Sequence, residues 1–233
     1  MKLAIVIATY QRIDNTTPVY LTRALTAIKN QTYQDYKVFL IGDCYSNSIE
    51  FELLATLIIS ADKIYYENLP IAVERTRYPY GGIDLWRSGG ANARNHGIDI
   101  AIQHGYKFIC HLDHDDYWDT NHLEVINDTI NINPEAAFIH TQSTYLGGIL
   151  PNTPTLDDII IERPPVPEGL IHSSVCINYE LITLRYRDTL HEIGIPNASD
   201  ADKWGRIAAA IEYNGFKSYY VPQLTCFHPI ENH

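Results

Sequence analysis

Asp113, Asp115 and Asp116 follow directly on an apolar run, Tyr106 to Leu112. An apolar run bounded in this way has the pattern of a buried strand, and charge at its C-terminal end points to a ligand crevice. Carboxylates this close repel one another, so the arrangement calls for a cation among them. Their oxygen donors favour Mg²⁺, Mn²⁺ or Ca²⁺ over zinc or copper. The competing reading is an acidic surface loop ahead of a helix.

The elements upstream are patterned to bring partners to these acids. Leu3 to Ala8 is a β-branched run ending in Thr9-Tyr10-Gln11-Arg12, Tyr36 to Ile41 is a second run ending in Gly42-Asp43, and Lys63 to Tyr66 is a third. Leu21, Leu25 and Ile28 share a helical face behind Thr17-Pro18, an N-cap followed by proline, and Ile49, Leu53 and Leu57 mark a second helix. Gly90 to His104 is a helix carrying Arg94-Asn95, and it leads into the acidic strand. Strands and helices in alternation form right-handed βαβ units, whose strand C-termini share one edge. Thr9, Tyr10, Arg12, Asp43, Arg94 and the acids are therefore expected around one ligand. That set suits a nucleoside diphosphate: Asp43 accepts from a base or sugar hydroxyl, a metal binds the diphosphate, and Arg94 adds a bidentate fork.

Downstream, Asn121 to Ile132 reads as a helix and Ala136 to Tyr145 as a strand, with proline-rich Gly147 to Pro167, including Asp157-Asp158, as a long connection. Leu170 to Ile177 is expected as a strand, Glu180 to Leu190 as a helix capped by Asn178, Ser199 to Tyr213 as a helix, and Ser218 to Val221 as a strand before an irregular tail with Phe227-His228-Pro229. Leu69 to Gly90 is broken by Pro70, Pro79 and Gly81-Gly82, and its Tyr78, Tyr80 and Trp86 offer faces for a sugar or a base. The 233 residues suffice for one domain with a real core. A formal net charge of −11 argues against binding nucleic acid, since no excess of Lys or Arg is there to release counterions. The four cysteines are scattered and are expected as reduced, mostly buried thiols. No stretch is long enough for a transmembrane segment, and Met1-Lys2-Leu3 runs straight into a strand, so the expected location is cytoplasmic.

Five pieces now stand in order: Ile5-Val6-Ile7-Ala8-Thr9-Tyr10-Gln11-Arg12, Gln31-Thr32-Tyr33-Gln34-Asp35-Tyr36, Ile41-Gly42-Asp43, Gly90-Ala91-Asn92-Ala93-Arg94-Asn95-His96-Gly97 and Leu112-Asp113-His114-Asp115-Asp116. With them the chain resembles the family 2 glycosyltransferases of GT-A fold, closely over its first half and loosely beyond. The resemblance implies one α/β domain with a Rossmann-like, largely parallel mixed sheet flanked by helices. Residues 1–118 would form the donor half and 119–233 the acceptor half. It implies an inverting transfer from a nucleotide-diphosphate sugar, UDP-type, to a glycan, lipid-linked or protein-linked sugar acceptor, with Mn²⁺ or Mg²⁺ as cofactor. Thr9, Tyr10 and Arg12 would lie along the base and ribose. Asp43 matches the second aspartate of the family's uracil-contacting pair, while Gly42 stands in place of the first. Arg94 would lie near the diphosphate. Asp113 and Asp115 form the Asp-x-Asp motif, with Asp115 the direct metal ligand, and Asp116 would support it or touch the sugar. The general base falls in Ser199-Asp200-Ala201-Asp202-Lys203-Trp204-Gly205-Arg206, with Asp200 first and Asp202 second, and Ser199 replaces the family's glutamate. His172-Ser173-Ser174 matches a segment near the acceptor. His228 is a candidate metal ligand, because some GT-A enzymes recruit a late histidine; a purely structural role stands beside that reading.

Without the resemblance, acids in the first turn behind an N-capping Ser199 are ordinary helix chemistry. Two other readings compete. His111-x-Asp113-His114-Asp115-Asp116 suggests a metal-dependent hydrolase or phosphatase. Alternation nevertheless puts His111 inside the strand, no second histidine pair has ligand spacing, and Tyr117 stands where an aspartyl phosphatase has a small hydroxyl residue. A non-catalytic nucleotide-sugar binder would keep the Asp-x-Asp and lack a working base, which the replacement by Ser199 allows.

Overall fold

Alternation within β1 (Leu3–Thr9) divides the interior in two: Leu3, Ile5 and Ile7 face one core, Ala4 and Val6 the other. The computed structural model describes residues 1–152, 160–166, 169–189, 191–195 and 197–229. β1 pairs in parallel with β2 (Tyr36–Gly42) on one side and β4 (Phe108–His111) on the other, and β2 pairs in parallel with β3 (Ile64–Asn68). Strands buried on both faces need apolar residues at every position, hence the unbroken runs in the sequence. Beyond β4 the sheet is mixed. β9 (Val175–Asn178) is antiparallel to β4 and to β6 (Ala136–Tyr145), β6 is parallel to β10 (Lys217–Phe227), and β10 is antiparallel to β5 (Tyr117–Trp118). Short β7 (Gly148–Leu150) and β8 (Ile161–Glu162) join β6 and β10. The expected α/β fold is therefore present as one mixed sheet with helices on both faces.

The first core lies under α1 (Thr17–Lys29), α2 (Ser48–Thr56) and α6 (His122–Ile132), through Leu21, Leu25, Phe51, Leu123 and Ile126. The second lies under α5 (Ala91–Gln103) and α7 (Ser199–Asn214), through Ile98, Trp204, Ile207 and Ile211. Gly97 lets α5 sit directly on the sheet, because a Cβ there would come 2.8 Å from Val6 Cγ1 and 3.0 Å from Ile41 Cγ1. No helix among the described residues is long and apolar enough to cross a membrane.

Several expectations need correction. The stretch before Gly90 holds two short helices, α3 (Val73–Arg77) and α4 (Ile83–Ser88). Leu170 to Ile177 is a strand only from Val175, after a 3₁₀ turn at His172–Ser174 in which Ser174 donates back to Ile171. The described residues of Glu180 to Leu190 form no helix: after a turn at 179–181 they run without regular structure, with Ile182 and Tyr186 buried. Asn95 explains this, since its amide side chain bonds both backbone groups of Tyr186, donating at 2.9 Å and accepting at 2.8 Å. A helix would have required those groups for itself. β10 runs past Val221 to Phe227 because Pro222 falls in a break of register against β6, where its missing N–H does no harm. Thr16 takes the N-cap position of α1 and Ala198 that of α7, neither with a side-chain bond that caps the helix, so Ser199 is not a cap. Asp157-Asp158 and Leu190 lie outside the described residues.

Candidate functional site

Because β1 and β4 are parallel neighbours, the turns that follow them share one edge of the sheet. Arg12, after β1, meets Asp115 with 2.6 Å between Nη2 and Oδ2. Arg94, in the first turns of α5, meets Asp113 with 2.7 Å between Nη2 and Oδ1, and its Nη1 donates to the Gly89 carbonyl at 3.0 Å. Arg23 of α1 donates to the Asp115 carbonyl. His172 Nδ1 stands 3.0 Å from the same oxygen of Asp113. Burial opposes the charge on Asp113, but Arg94 and His172 outweigh it and hold the carboxyl well below its usual range.

Asp116 points away from these two, into the protein. Its side chain is fully buried, accepting from the Ser173 hydroxyl and, at 2.7 Å, from His228 Nδ1. Ser173 also accepts the Asp113 N–H at 2.9 Å, so one hydroxyl braces both ends of the acidic turn. Burial pushes the Asp116 carboxyl up to about 7 against the bond from His228. That same bond raises the His228 imidazole to about 9 against its own burial. The pairing of β5 with β10 brings His228 here, directly after Cys226 and Phe227 have aligned with Trp118 and Tyr117.

Asp43 follows β2 on the same edge. Arg75 of α3 holds it, with Nε 3.1 Å from Oδ2 and a further bond to its carbonyl. Burial raises the Asp43 carboxyl although Arg75 opposes the shift. Its Oδ1 is buried and has no hydrogen-bond partner among the described residues. Such an acceptor is costly unless something donates to it. Gly42 stands where it does because a Cβ would come 2.9 Å from both the Phe51 ring and Asn68 Oδ1. Tyr10 lies beside Arg12, Arg75 and His114, with its ring centroid 5.9 Å from Arg12 Cζ, 5.5 Å from Arg75 Cζ and 5.3 Å from the His114 ring. Thr9 is buried, and its hydroxyl is shared with Tyr45 at 2.7 Å. Glu74 of α3, also buried, accepts from the Asn92 N–H at 2.6 Å and ties the preceding loop to the start of α5.

On the other side, Asp200 opens α7, half-buried, and its Oδ1 accepts from the Ala201 N–H at 2.8 Å. Its charge is felt at Arg94, His172 and Tyr186. Asp202, by contrast, is held by Arg206 at 2.7 Å and faces Arg187 at 3.6 Å. Of the loop aromatics, Tyr80 and Trp86 are exposed, while Tyr78 is buried with its hydroxyl donating to the Asp188 carbonyl at 2.8 Å. His111 is fully buried and bonded to Tyr179 at 3.1 Å, which removes the histidine that a hydrolase reading requires.

The structure thus brings Arg12, Arg94, Asp113 and Asp115 together at one edge, with Asp43 and Tyr10 further along it. Sequence reasoning missed Arg23, Arg75, Glu74 and Tyr186. The His172-Ser173 pair carried a signal only through its local match. Among the described residues, no three side chains of His, Cys, Asp or Glu gather closely enough to hold a metal ion. His228 reaches Asp116 rather than the Asp-x-Asp pair. The hard oxygen donors present suit Mg²⁺ or Mn²⁺, ions that are held by one or two carboxylates and take their other ligands from phosphate and water.

No family model matches the chain. Along 238 residues, 99% of this chain and 95% of the other, it is 38% identical to an uncharacterized glycosyltransferase of Acanthamoeba polyphaga mimivirus. Among solved structures, S. aureus TarS in complex with UDP superposes with a TM-score of 0.69 at 13% identity, over 99% of this chain and 61% of that one. TarS with UDP-GlcNAc gives 0.71 at 12% identity, over 100% and 60%. The mannosyltransferase PcManGT from Pyrobaculum calidifontis, in complex with GDP-Man and Mn²⁺, gives 0.58 at 12% identity, over 99% and 57%. At such identities the likeness is one of fold, and the chain spans about three-fifths of the length of these structures. The viral relative is nearly equal in length and much closer in sequence, and through it the chain belongs to the glycosyltransferases.

Proposed function

We propose that the chain is an inverting, metal-dependent glycosyltransferase of family 2 and GT-A fold that uses a UDP-type sugar donor and a hydroxyl on a glycan, lipid-linked or protein-linked sugar. The meeting of Arg12 with Asp115 and of Arg94 with Asp113 at one sheet edge carries this reading. It concentrates arginine and carboxylate where a diphosphate and its ion would lie. Asp43 supports the choice of base, because its unpartnered Oδ1 suits the ring N–H of uracil. The UDP in the TarS complex and the Mn²⁺ in the mannosyltransferase complex accord with both assignments.

In this mechanism Tyr10 lies along the base and Arg12 along the ribose side. Arg94 turns its guanidinium from Asp113 toward the diphosphate and stabilises the charge that grows on it as the bond to the anomeric carbon breaks. A Mn²⁺ or Mg²⁺ held through Asp115 and Asp113 would supply further positive charge to that leaving group. Asp200 takes the acceptor proton while the acceptor oxygen bonds to the anomeric carbon from the opposite face, which inverts the configuration. Asp202, committed to Arg206, is the poorer base. Residues 1–118 act as the donor half and 119–233 as the acceptor half.

A thermal-shift panel of nucleotide sugars with and without Mn²⁺ tests the reading, since a ligand that binds only the folded chain raises its melting temperature by mass action. UDP-sugars with Mn²⁺ are expected to give the largest rise. A larger rise with GDP-sugars would reassign the base, and no rise with any nucleotide would overturn the proposal.

A further inference from the structure

The apolar row that marks α2 in the sequence is the one the fold leaves outside. Phe51 and Ala55 enter the first core, while Ile49, Leu53 and Leu57 are 70%, 62% and 77% exposed. Leu57, the C-cap of α2, keeps helical backbone angles, so the three stand in one row spaced by four. A surface helix keeps one apolar stripe for its core, and a second stripe on the opposite side calls for a second cover. Exposed apolar side chains scattered singly need no explanation; a contiguous row does. The stretch 153–159, outside the described residues, attaches between β7 and β8, at the far end of the sheet from α2. An anionic bilayer is opposed by Glu50 and Glu52, which border the row, and by the formal net charge of −11. A second copy of the chain suits both the row and the charges around it.

Charge changes sign along α2. Glu50 and Glu52 precede Leu53, whereas the groove beside Leu57 is bordered by Lys29 and Lys63, with Lys37 and Asp62 close by. Turned end for end, a second α2 lays its glutamates against these lysines. Aligned in the same sense, it would set glutamate against glutamate. The row obeys the same symmetry: Leu53 is its midpoint, so a two-fold axis there brings Ile49 to the partner's Leu57. Rows spaced by four also pack as ridges into the grooves of a like helix. A contact built on one short helix is at the small end of specific interfaces, roughly 800 Å² per partner or less, so the pair is reversible with a dissociation constant on the order of micromolar.

We propose that α2 is the contact face of a homodimer in which two copies pack antiparallel about a two-fold axis at Leu53. None of its residues belongs to the acidic edge, so the dimer stands or falls apart from the function proposed above. Sedimentation equilibrium of the wild-type chain, from low micromolar concentration upward, should give a mass rising to twice that of one chain. Leu53→Glu sets two glutamates together on the axis and should raise the dissociation constant by more than ~10-fold at unchanged melting temperature. Tyr213→Glu, at an exposed site on α7 under the other face of the sheet, should leave association as it is. Ile49→Glu and Leu57→Lys should each weaken association. An equimolar mixture of those two chains should associate more tightly than either alone, because antiparallel pairing sets the new charges opposite one another. A wild type that stays monomeric throughout overturns the proposal. So do a Leu53→Glu chain that pairs like wild type, a Tyr213→Glu chain that loses pairing, and a mixture no tighter than its parts. Should Leu53→Glu fail to fold, the mixture decides alone. A monomer that floats with phosphatidylserine vesicles would give the row to a lipid surface and overturn the second copy equally.

Discussion

Arg94 and Asp113 stand 2.7 Å apart, joining the first turns of α5 to the end of β4. The pair is only partly exposed, 16% and 24% for the two side chains, so water screens it incompletely. Arg94→Met is expected to weaken UDP-sugar binding by ~10–100-fold, the worth of charge-assisted bonds at ~1.5–3 kcal/mol. Calorimetric titration of both proteins with UDP and Mn²⁺ measures this, and equal affinities would place the diphosphate elsewhere.

Asp200→Asn keeps the shape of the first turn of α7 and removes the acceptor for a proton. Turnover should fall ~10²–10⁴-fold while UDP affinity stays within a factor of about two. Asp202→Asn should behave differently, because Arg206 and Arg187 lose their partner, and its main effect should be a lower melting temperature. Parallel assays of transfer and thermal melting distinguish the two. A fully active Asp200→Asn enzyme would move the base to another residue.

The Asp116–His228 pair gives a pH dependence with a definite sign. The folded pKa of His228, raised to about 9 by its bond to Asp116, exceeds the ordinary value of 6.5. Its contribution to stability is then fully present below about pH 6.5 and lost as pH rises through about 9. Asp116 acts in the same direction: burial raises it to about 7 from 3.8, so the folded chain keeps a proton that the unfolded chain has lost. Melting temperatures of metal-free wild type and His228→Gln should differ most near about pH 6 and converge above about pH 9. A gap that stays constant across that range contradicts the assignment.

Much of the proposed donor side is legible in the sequence because it depends on local pattern. β1 and β2 are unbroken apolar runs since both faces are buried, and the parallel sheet places Arg12, Asp43 and Asp113 on one edge without further information. What is hidden depends on partners far along the chain. Glu180 to Leu190 reads as a helix, but Asn95 takes the backbone bonds of Tyr186 and keeps the described residues out of one. Arg75 lies in a stretch whose prolines and glycines mask a short helix. His172 and Ser173 look like part of a strand, and only the fold reveals that they hold Asp113 and Asp116. The extension of β10 is hidden by Pro222, which a local rule takes for an end.

Gly97 offers a test of the sheet rather than of the site. A methyl group there would come 2.8 Å from Val6 Cγ1, in a fully packed layer. Gly97→Ala should destabilise the protein by ~1–3 kcal/mol despite alanine's better helix propensity. Urea denaturation reads the shift in midpoint, and a stabilised variant would mean that α5 rides higher over β1.

The bond between Asp116 and His228 spans 112 positions of sequence. On a ribosome adding ~5–20 residues per second, roughly 6–22 s separate the synthesis of the two. Throughout that interval the nascent acidic turn has neither the imidazole nor the strand that later lines up with Tyr117 and Trp118. Completion of the proposed donor site is thus tied to the arrival of β10, and a chain released too early would carry its Asp-x-Asp on an unfinished edge.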